Sequence, residues 1–272
     1  MSNEIPSDRY AIIIGAMKCG TSSLYSYIKN HPEICPACVK KPEFFSEQQN
    51  HGVSVVKYSD LWQFDGSIHK YALEASTGYT KYPLEPNVPE NIFCYGISPK
   101  LIYIIRNPFD RIASHLNALA DREFDVIPQH LIHTSNYFLQ LKQYRKYFPR
   151  ENFLILDFDD MKGDPVLVVR RIYDFLGLSH NYFPDRYRVA NRTQVETKLE
   201  RILGKLGIDA ISSALPRPVR RFGRKVAKRI SPAARRVLTN AERRLVENEL
   251  KADMARLRAA YGFDVGKWGF DG

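Results

Sequence analysis

The residues between positions 15 and 23 have the types and spacing of a site that binds an anion. Gly15 and Gly20 are separated by four residues, one of which is Lys18, and three hydroxyl residues follow the second glycine. Glycine permits the backbone angles of a tight turn. The first main-chain NH groups of a helix have no intrahelical acceptor, and together with the helix dipole they favour an anion. The segment therefore predicts a phosphate-binding loop between a strand and a helix, with the main-chain NH groups of Thr21, Ser22 and Ser23 directed at the anion.

The position of the lysine separates this loop from the usual nucleotide loop. In the pattern GxxxxGK[ST], the lysine after the second glycine reaches the β- and γ-phosphates, and a hydroxyl group binds magnesium. Here Thr21 follows Gly20, and Lys18 lies inside the loop. This displacement indicates a ligand with a single 5′-phosphate. The alternative interpretation is a strand-turn-helix corner with a surface lysine.

A second basic residue lies at the end of a later strand. The run KLIYIIR, residues 100–106, is continuously apolar up to its last residue, as is typical of a strand buried on both faces of a parallel sheet. Asn107 is suited to cap the following helix and Pro108 to begin it. Arg106 then lies at the carboxyl end of a strand, where open α/β sheets bind ligands, and Ser114 lies about two turns into the helix.

Strands and helices alternate along most of the chain, which predicts an α/β fold. We expect a P-loop-like, three-layer α/β/α arrangement with a central, mostly parallel sheet. The whole chain, 1–272, is expected to form one domain, in which residues 185–272 are a helical C-terminal part. The predicted strands are 11–14, 71–75, 100–106 and 153–158. The predicted helices are 22–30, 55–64, 108–120, 133–147, 165–176, 193–206 and 241–261, with a short helix opening at Ser231-Pro232.

The charge of the chain is concentrated in one segment. Lys and Arg total 40 against 30 Asp and Glu, and residues 217–236 hold nine basic residues and no acidic one. The rest of the chain is therefore nearly neutral. This basic segment, 217–236, has the composition of a solvated face or of a surface that contacts an anionic acceptor or an acidic lipid surface. Only Phe222 interrupts it with an aromatic ring, which disfavours nucleic acid as the main partner.

The sequence predicts a cytoplasmic protein with reduced cysteines. The first ten residues hold no apolar signal-peptide core, and no apolar run approaches the length needed to cross a bilayer. The four cysteines are too few for a disulfide framework in a chain of this length. Cys35 and Cys38 have redox or metal spacing, but no second pair completes a zinc site. We expect reduced thiols and no metal.

Taken together, these segments resemble the sulfotransferases that use 3′-phosphoadenosine 5′-phosphosulfate (PAPS). The resemblance extends over most of the chain and is strongest to the carbohydrate-modifying branch and its bacterial relatives. The segments that carry it are IIIGAMKCGTSSL, KKPEFFS, LEASTGY, LIYIIRNPFDRIASH, NYFLQLKQYRKYFPRENFLILDFDDM, FLGL and YGFDVGKWGF.

The resemblance implies in-line transfer of a sulfuryl group from PAPS to a hydroxyl group, expected to be that of a carbohydrate or glycolipid. Lys18 would neutralise the charge that develops on the departing bridging oxygen, because a preorganised cation is most effective at that position. Arg106 and Ser114 would bind the 3′-phosphate, and the scheme requires no metal. The residues implied for the 5′-phosphate side of the cofactor are Lys18, Cys19, Gly20, Thr21, Ser22 and Ser23.

The general base is the point at which this chain departs from its relatives. The carbohydrate branch has a glutamate three residues before a Phe-Phe pair, and Lys41 occupies that position here. A protonated lysine cannot accept a proton, although a buried lysine with a lowered pKa can. Glu43 and Glu74 are equal first candidates for the base, followed by Lys41 and then His115.

Two other functions remain open from the sequence. The first is a P-loop kinase or NTPase in which Asp157, after the apolar run FLIL, binds magnesium; it lacks the lysine after Gly20. The second is a non-enzymatic binder of nucleic acid or membrane through the basic segment. In related enzymes the region before the last helix closes over the nucleotide, which gives that segment a further interpretation. The sequence does not specify the acceptor or the oligomeric state.

Overall fold

The structure, a computed structural model, describes residues 5–47, 57–119, 124–187 and 236–270. In this part of the chain a five-stranded sheet has the order β2-β3-β1-β4-β5, and every neighbouring pair is parallel. The α/β class with a parallel central sheet is confirmed. The strands are β1 Tyr10–Gly15, β2 Ile34–Pro36, β3 Tyr71–Ala75, β4 Lys100–Ile105 and β5 Phe153–Asp157.

Helices flank this sheet and connect its strands. In chain order over the described residues they are α1 Thr21–Ile28, α2 Val88–Cys94, α3 Pro108–Ala118, α4 Gln129–His133, α5 Tyr137–Tyr144, α6 Phe158–Gly163, α7 Pro165–Leu176 and α8 Asn240–Tyr261. Short 3-10 turns lie at Tyr58–Leu61, Thr77–Thr80, Arg150–Asn152 and Gly266–Trp268. None of the helices within the described ranges combines the length and apolar composition required to cross a membrane.

The two central strands form the core of the sheet and bring the candidate loops together. The run from Ala11 to Ile14 in β1 and the run from Leu101 to Ile105 in β4 are completely buried. Side chains covered on both faces explain why these runs are continuously apolar rather than alternating. Ile13 pairs with Ile102 and Gly15 with Tyr103, so the register shifts where β1 leaves the sheet. The carboxyl ends of β1 and β4 therefore lie side by side.

The predicted helix over residues 133–147 is wrong in its extent, because two helices occupy this region. Helix α4 ends at His133 and α5 begins at Tyr137. Asp253 of α8 accepts hydrogen bonds from the main-chain NH groups of Phe138 and Leu139 at 2.9 and 2.8 Å. A carboxylate that is distant in sequence thus accepts hydrogen bonds from the free NH groups in the first turn of α5, and the helical conformation is interrupted between α4 and α5.

Other differences from prediction concern short elements. The strand β2 and the helix α2 were not predicted. Pro89 lies in the first turn of α2, where a missing NH group costs little. In the described part of the predicted helix 55–64, only the 3-10 turn Tyr58–Leu61 forms.

The C-terminal helix α8 begins and ends as its sequence predicts. Thr239 and Glu242 form a reciprocal capping box, and Gly262 ends the helix in the left-handed conformation. Two apolar residues near its start, Ala241 and Leu245, are exposed. The side chains that pack this helix onto the body are Val246, Leu250, Met254 and Leu257. The predicted helix 193–206, the helix at Ser231-Pro232 and the basic segment except Arg236 lie outside the described residues.

Candidate active site

The loop after β1 makes a tight turn against its neighbours. The main-chain NH of Ala16 donates to the carbonyl of Ile104 at 2.7 Å, which ties the loop to β4. Lys18 and Gly20 both have left-handed backbone angles, with φ of 71° and 85°. A Cβ atom on Gly20 would lie 2.6 Å from the side chain of Met161 and 2.8 Å from the ring of Phe158. Gly20 is therefore required both for its backbone angle and for its close packing against α6.

The start of helix α1 presents the positive end of its dipole without a neutralising side chain. Gly20 is the N-cap residue and makes no side-chain cap, and the first turn holds no acidic residue. Thr21 and Ser23 are buried, and Ser22 is half-buried. This arrangement of main-chain NH groups and hydroxyl groups is suited to an anion such as a phosphate.

Arg106 lies at the end of β4, as the sequence predicts, and three neighbours fix it. Its guanidinium group lies 4.7 Å from the ring centroid of Phe158 and bonds the carboxylate of Asp110 at 3.3 Å. The hydroxyl of Tyr137 donates to the main-chain carbonyl of Arg106 at 2.6 Å. Among the residues that the structure describes, the buried Nε atom of Arg106 has no hydrogen-bond partner, which leaves a donor for a ligand. The half-buried Ser114 lies further along α3.

Helix α3, which carries Ser114, begins as the sequence predicts. Asn107 accepts a hydrogen bond from the NH of Phe109 at 3.0 Å, and Pro108 occupies the first turn. The cap places the helix directly after Arg106.

Positive charges converge on the lysine of the loop. The pKa of Lys18 is lowered, first by burial and then by the charges of Lys41, Arg106 and Arg111. The structure therefore brings together the loop, the end of β4 and the segment that holds Lys41. Such a concentration of like charge in a partly buried place favours a polyanionic ligand.

Two cations of this cleft were not selected from the sequence, Lys81 and Arg111. Burial lowers the pKa of Lys81, which follows the turn Thr77–Thr80, while the charges of Glu43 and Glu85 oppose that effect. Arg111 is completely buried on α3. Arg111 lies within the segment LIYIIRNPFDRIASH, one helical turn before His115. Its position on the predicted helix therefore indicated that it lies near the candidate site. For Lys81 the sequence offers no comparable clue.

Glu43 is a buried carboxylate beside the cationic cleft. Both of its carboxylate oxygens accept hydrogen bonds from the NH of Gly78 at 3.0 Å, and Ser46 donates to one of them at 3.2 Å. Burial raises the pKa of Glu43, and the bond from Gly78 and the charges of Lys81 and Lys41 act in the opposite direction. Hydrogen bonds therefore hold the carboxyl group of Glu43 in place, and the charges of Lys81 and Lys41 act on it.

Glu74 lies deeper, in the interior of β3. Tyr58 donates a hydrogen bond to one carboxylate oxygen at 2.7 Å, and Ser76 donates to the other at 2.6 Å. Burial raises the pKa of Glu74 to about 7. The hydroxyl oxygen of Ser76 also accepts the main-chain NH of Glu43 at 3.0 Å. Ser76 therefore connects the carboxyl group of Glu74 to the main chain of Glu43.

Lys41 and His115, the remaining candidates for the base, have different environments. Lys41 is half-buried, has a left-handed φ of 60°, and lies close enough to Lys18 to lower the pKa of that lysine. Burial and the surrounding positive charges lower the pKa of His115 to about 3. A histidine with that pKa is too weak to serve as an efficient base near neutral pH.

Asp157, the candidate magnesium ligand of a kinase, is already engaged. Its carboxylate accepts the NH of Asp159 at 2.8 Å as the cap of α6 and forms an ion pair with Lys267. Within the described ranges, no group of three or more His, Cys, Asp or Glu side chains is arranged to hold a metal ion. The engagement of Asp157 weighs against the kinase interpretation.

Of the four cysteines, Cys19 and Cys35 are buried, Cys38 and Cys94 are exposed, and all are free thiols. Cys19 lies in the loop, and burial raises the pKa of its thiol to about 12. It therefore stays a neutral thiol. Any contact with the cofactor would come from its main chain, because the side chain is completely buried.

Comparison with known proteins agrees with the geometry of this cleft. The family model described as the sulfotransferase domain matches residues 8–209. Human heparan sulfate glucosamine 3-O-sulfotransferase 5 is 28% identical over an alignment of 188 residues that covers 62% of this chain and 53% of that protein. Mouse heparan sulfate glucosamine 3-O-sulfotransferase 6 is 26% identical over 239 residues, covering 81% of this chain and 67% of that protein. The chain thus spans about half the length of the first of these relatives.

A solved structure supports the same fold. The sulfotransferase from Alicyclobacillus acidocaldarius superposes with a TM-score of 0.66 and 21% sequence identity, covering 97% of this chain and 100% of that one. The family match covers most of the chain, including the loop, β4 and the start of α3. This protein belongs to the sulfotransferase domain family.

Proposed function

We propose that this protein transfers the sulfuryl group of PAPS to a hydroxyl group of an acceptor, by direct in-line transfer. The observation that carries the proposal is the convergence of Lys18, Arg106 and the start of α1 at the carboxyl edge of the sheet. A ligand with a 5′-phosphosulfate and a 3′-phosphate requires two anion sites of this kind. The names of the two relatives support a carbohydrate acceptor, and a glycolipid belongs to the same chemical class.

The residues present fit the adenosine 3′,5′-bisphosphate part of this ligand. The uncapped N-terminus of α1, with the hydroxyl groups of Thr21, Ser22 and Ser23, would hold the 5′-phosphate. Arg106 has a buried donor without a partner and, with Ser114, would hold the 3′-phosphate. PAPS supplies the sulfuryl group. Lys18 holds a positive charge where the bridging oxygen becomes anionic, and such preorganised charge stabilises the transition state.

We assign the general base to Glu43 rather than Glu74. The charges of Lys81 and Lys41 act on Glu43, although its carboxyl group, like that of Glu74, is buried and hydrogen-bonded. Glu74 is completely buried, and Tyr58 and Ser76 engage both of its oxygens. We therefore assign to Glu74 the role of a positioning residue that acts through Ser76 on the main chain of Glu43.

Lys41, at the position of the expected glutamate, has a different role in this proposal. Its charge lies near that of Lys18, so it would bind an anionic group of the cofactor or acceptor. The carboxylate that accepts the proton in this proposal is therefore Glu43, two residues after Lys41.

Transfer of radiolabelled sulfate from PAPS to carbohydrate acceptors tests the proposal. Lys18→Ala and Arg106→Ala should each lower the rate at least about 100-fold, the scale of losing one preorganised electrostatic contact. Thermal unfolding should show that the fold is intact. Lys142→Ala removes an exposed lysine from α5 and serves as the matched control. Near-normal transfer by both cleft variants would contradict the proposal.

Two further predictions concern the location of the protein and its surface contacts. A cytoplasmic location stays a prediction, as does contact of the basic segment with an acidic surface. At the edge of that segment, the main chain of Arg236 makes two hydrogen bonds of 2.9 Å with the side chain of Asn117 on α3. Measuring binding to acidic vesicles before and after neutralising the segment, at increasing salt, tests the second prediction.

A further inference from the structure

We propose that Arg111 is a positioning residue that fixes His115 as a neutral imidazole with its proton on Nε2. His115 then offers an uncharged hydrogen-bond donor to an anionic sulfate oxygen held beside Lys18. The tautomer of His115 stands on the contacts of the protein alone. Its role toward a sulfate oxygen rests on the proposed function.

The guanidinium group of Arg111 is locked in one orientation inside the protein. Its Nε donates to the hydroxyl of Ser135 at 2.6 Å, and Nη2 donates to the carbonyl of Leu131. Nη1 lies 3.4 Å from Nδ1 of His115 on the same helix. These three partners are neutral, and the side chain is completely buried. A buried cation whose nitrogens are all engaged by fixed partners cannot rotate without losing hydrogen bonds.

The chemistry of arginine decides which tautomer His115 adopts. A guanidinium group has only donors, so the contact between Arg111 and His115 requires Nδ1 to accept. A neutral imidazole that accepts at Nδ1 carries its proton on Nε2. The contact with Arg111 therefore fixes both the tautomer and the orientation of the ring.

The basic groups that act most strongly on the ring all oppose a second proton. These neighbours come from four elements: Arg111 on α3, Lys18 in the loop, Lys81 after the turn that follows β3, and His130 on α4. The ring centroids of His115 and His130 are 6.5 Å apart. With burial, these groups lower the pKa of His115 to about 3, so the imidazole is neutral near pH 7.

The proposal assigns the remaining nitrogen, Nε2, to the anion. Because Nδ1 is turned toward Arg111, Nε2 lies on the other side of the ring, and Lys18 and Lys81 are the cleft cations that act on this histidine. A neutral donor can bind an anionic oxygen without adding to the repulsion among these cations. A charged histidine here would lower the pKa of Lys18 further. It would therefore work against the positive charge that the proposal assigns to Lys18.

Nuclear magnetic resonance of protein labelled with ¹⁵N-histidine tests the tautomer directly. The chain has seven histidines, and the resonances of His115 are identified by their loss in His115→Gln. We expect a protonated Nε2 and an unprotonated Nδ1, without titration between pH 5 and 8. Arg111→Lys keeps a charge but loses the fork of donors, and should give mixed tautomers. A wild-type His115 that carries its proton on Nδ1, or that titrates near the ordinary histidine pKa, would overturn the proposal without requiring any variant to fold.

Transfer kinetics test the role toward the sulfate oxygen. His115→Leu should lower kcat/KM about 10- to 100-fold, while His115→Gln, which keeps an NH donor, should recover most of the loss. A raised KM for PAPS identifies the sulfuryl group as the anion, and a raised KM for a sulfated acceptor identifies the acceptor. Equal activity of the leucine and glutamine variants would overturn the donor role. Absence of transfer by the wild-type protein would contradict the proposed function and leave the tautomer measurement valid.

Discussion

At the level of single residues, the two buried carboxyl groups beside the cleft, Glu43 and Glu74, differ in their neighbours. Glu43 and Glu74 are joined through Ser76, and both have a raised pKa because of burial. The cations of the cleft, Lys41 and Lys81, act on Glu43, whereas hydroxyl groups of the core surround Glu74. One carboxyl group therefore accepts the proton in our proposal, and the other supports its backbone.

Substitution of the two carboxyl groups should separate these roles. Glu43→Gln should lower kcat for sulfuryl transfer about 100- to 10,000-fold, the usual contribution of a general base. Because burial raises the pKa of Glu43, the parent's rate should increase as the pH rises through that pKa, and the variant should lose this dependence. Glu74→Gln should retain the dependence with a smaller loss of rate. A pH-rate profile of the three proteins decides the assignment, and a larger loss in the Glu74 variant would reverse it.

Glu74 should also contribute to the pH dependence of stability. Its pKa in the folded protein is about 7, above the ordinary value of 4.5, so folding favours its protonated form. This contribution to the free energy of unfolding is fully present below pH 4.5 and is lost as the pH rises through 7. Between pH 4.5 and 8, the stability of Glu74→Gln relative to the parent should therefore improve by up to about 3 kcal/mol. Urea unfolding at several pH values measures this difference, and a constant difference would contradict the assigned ionisation.

The residues that could be predicted are those whose position follows from local pattern. Lys18 and Arg106 lie in or beside strand ends, and the apolar runs before them locate those ends in the sequence. Lys81 could not be selected, because its place in the cleft depends on how the turn after β3 packs. The order of Glu43 and Glu74 was open for the same reason, since burial depth belongs to the tertiary structure.

At the level of elements, the C-terminal helix α8 stabilises the start of α5, which precedes it by about a hundred residues. Asp253 bonds two NH groups in the first turn of α5, and α5 in turn places Tyr137 against the carbonyl of Arg106. The helix that ends the described chain thereby supports the end of β4. This long-range cap also explains why the predicted helix 133–147 divides into α4 and α5, a division that no local pattern specified.

Removing this cap should destabilise the protein. Asp253→Ala leaves the NH groups of Phe138 and Leu139 without acceptors and should lower the free energy of unfolding by about 1 to 2 kcal/mol. Asp253→Asn keeps one side-chain oxygen and should lose less. Urea unfolding near pH 7.5 provides the measurement. An alanine variant as stable as the parent would show that Asp253 does not support α5.

At the level of the whole molecule, the described structure is a parallel sheet whose carboxyl edge gathers positive charge. Lys18, Lys41 and Lys81 come from three segments and Arg106 and Arg111 from a fourth, and burial makes their mutual repulsion significant. A bound polyanion would relieve this repulsion and stabilise the folded state by mass action. The parallel sheet was predictable from the alternation of strands and helices, whereas this convergence of charge depends on the tertiary structure.

Calorimetric titration with adenosine 3′,5′-bisphosphate is the most direct test of the central claim. In the presence of EDTA, we expect tight binding to the parent and at least about tenfold weaker binding to Arg106→Ala, because a charge-assisted contact with the 3′-phosphate is lost. Adenosine 5′-monophosphate, which lacks the 3′-phosphate, should bind the two proteins about equally. Failure of the bisphosphate to bind without metal, together with tight binding of ATP and magnesium, would contradict the claim and favour the kinase interpretation.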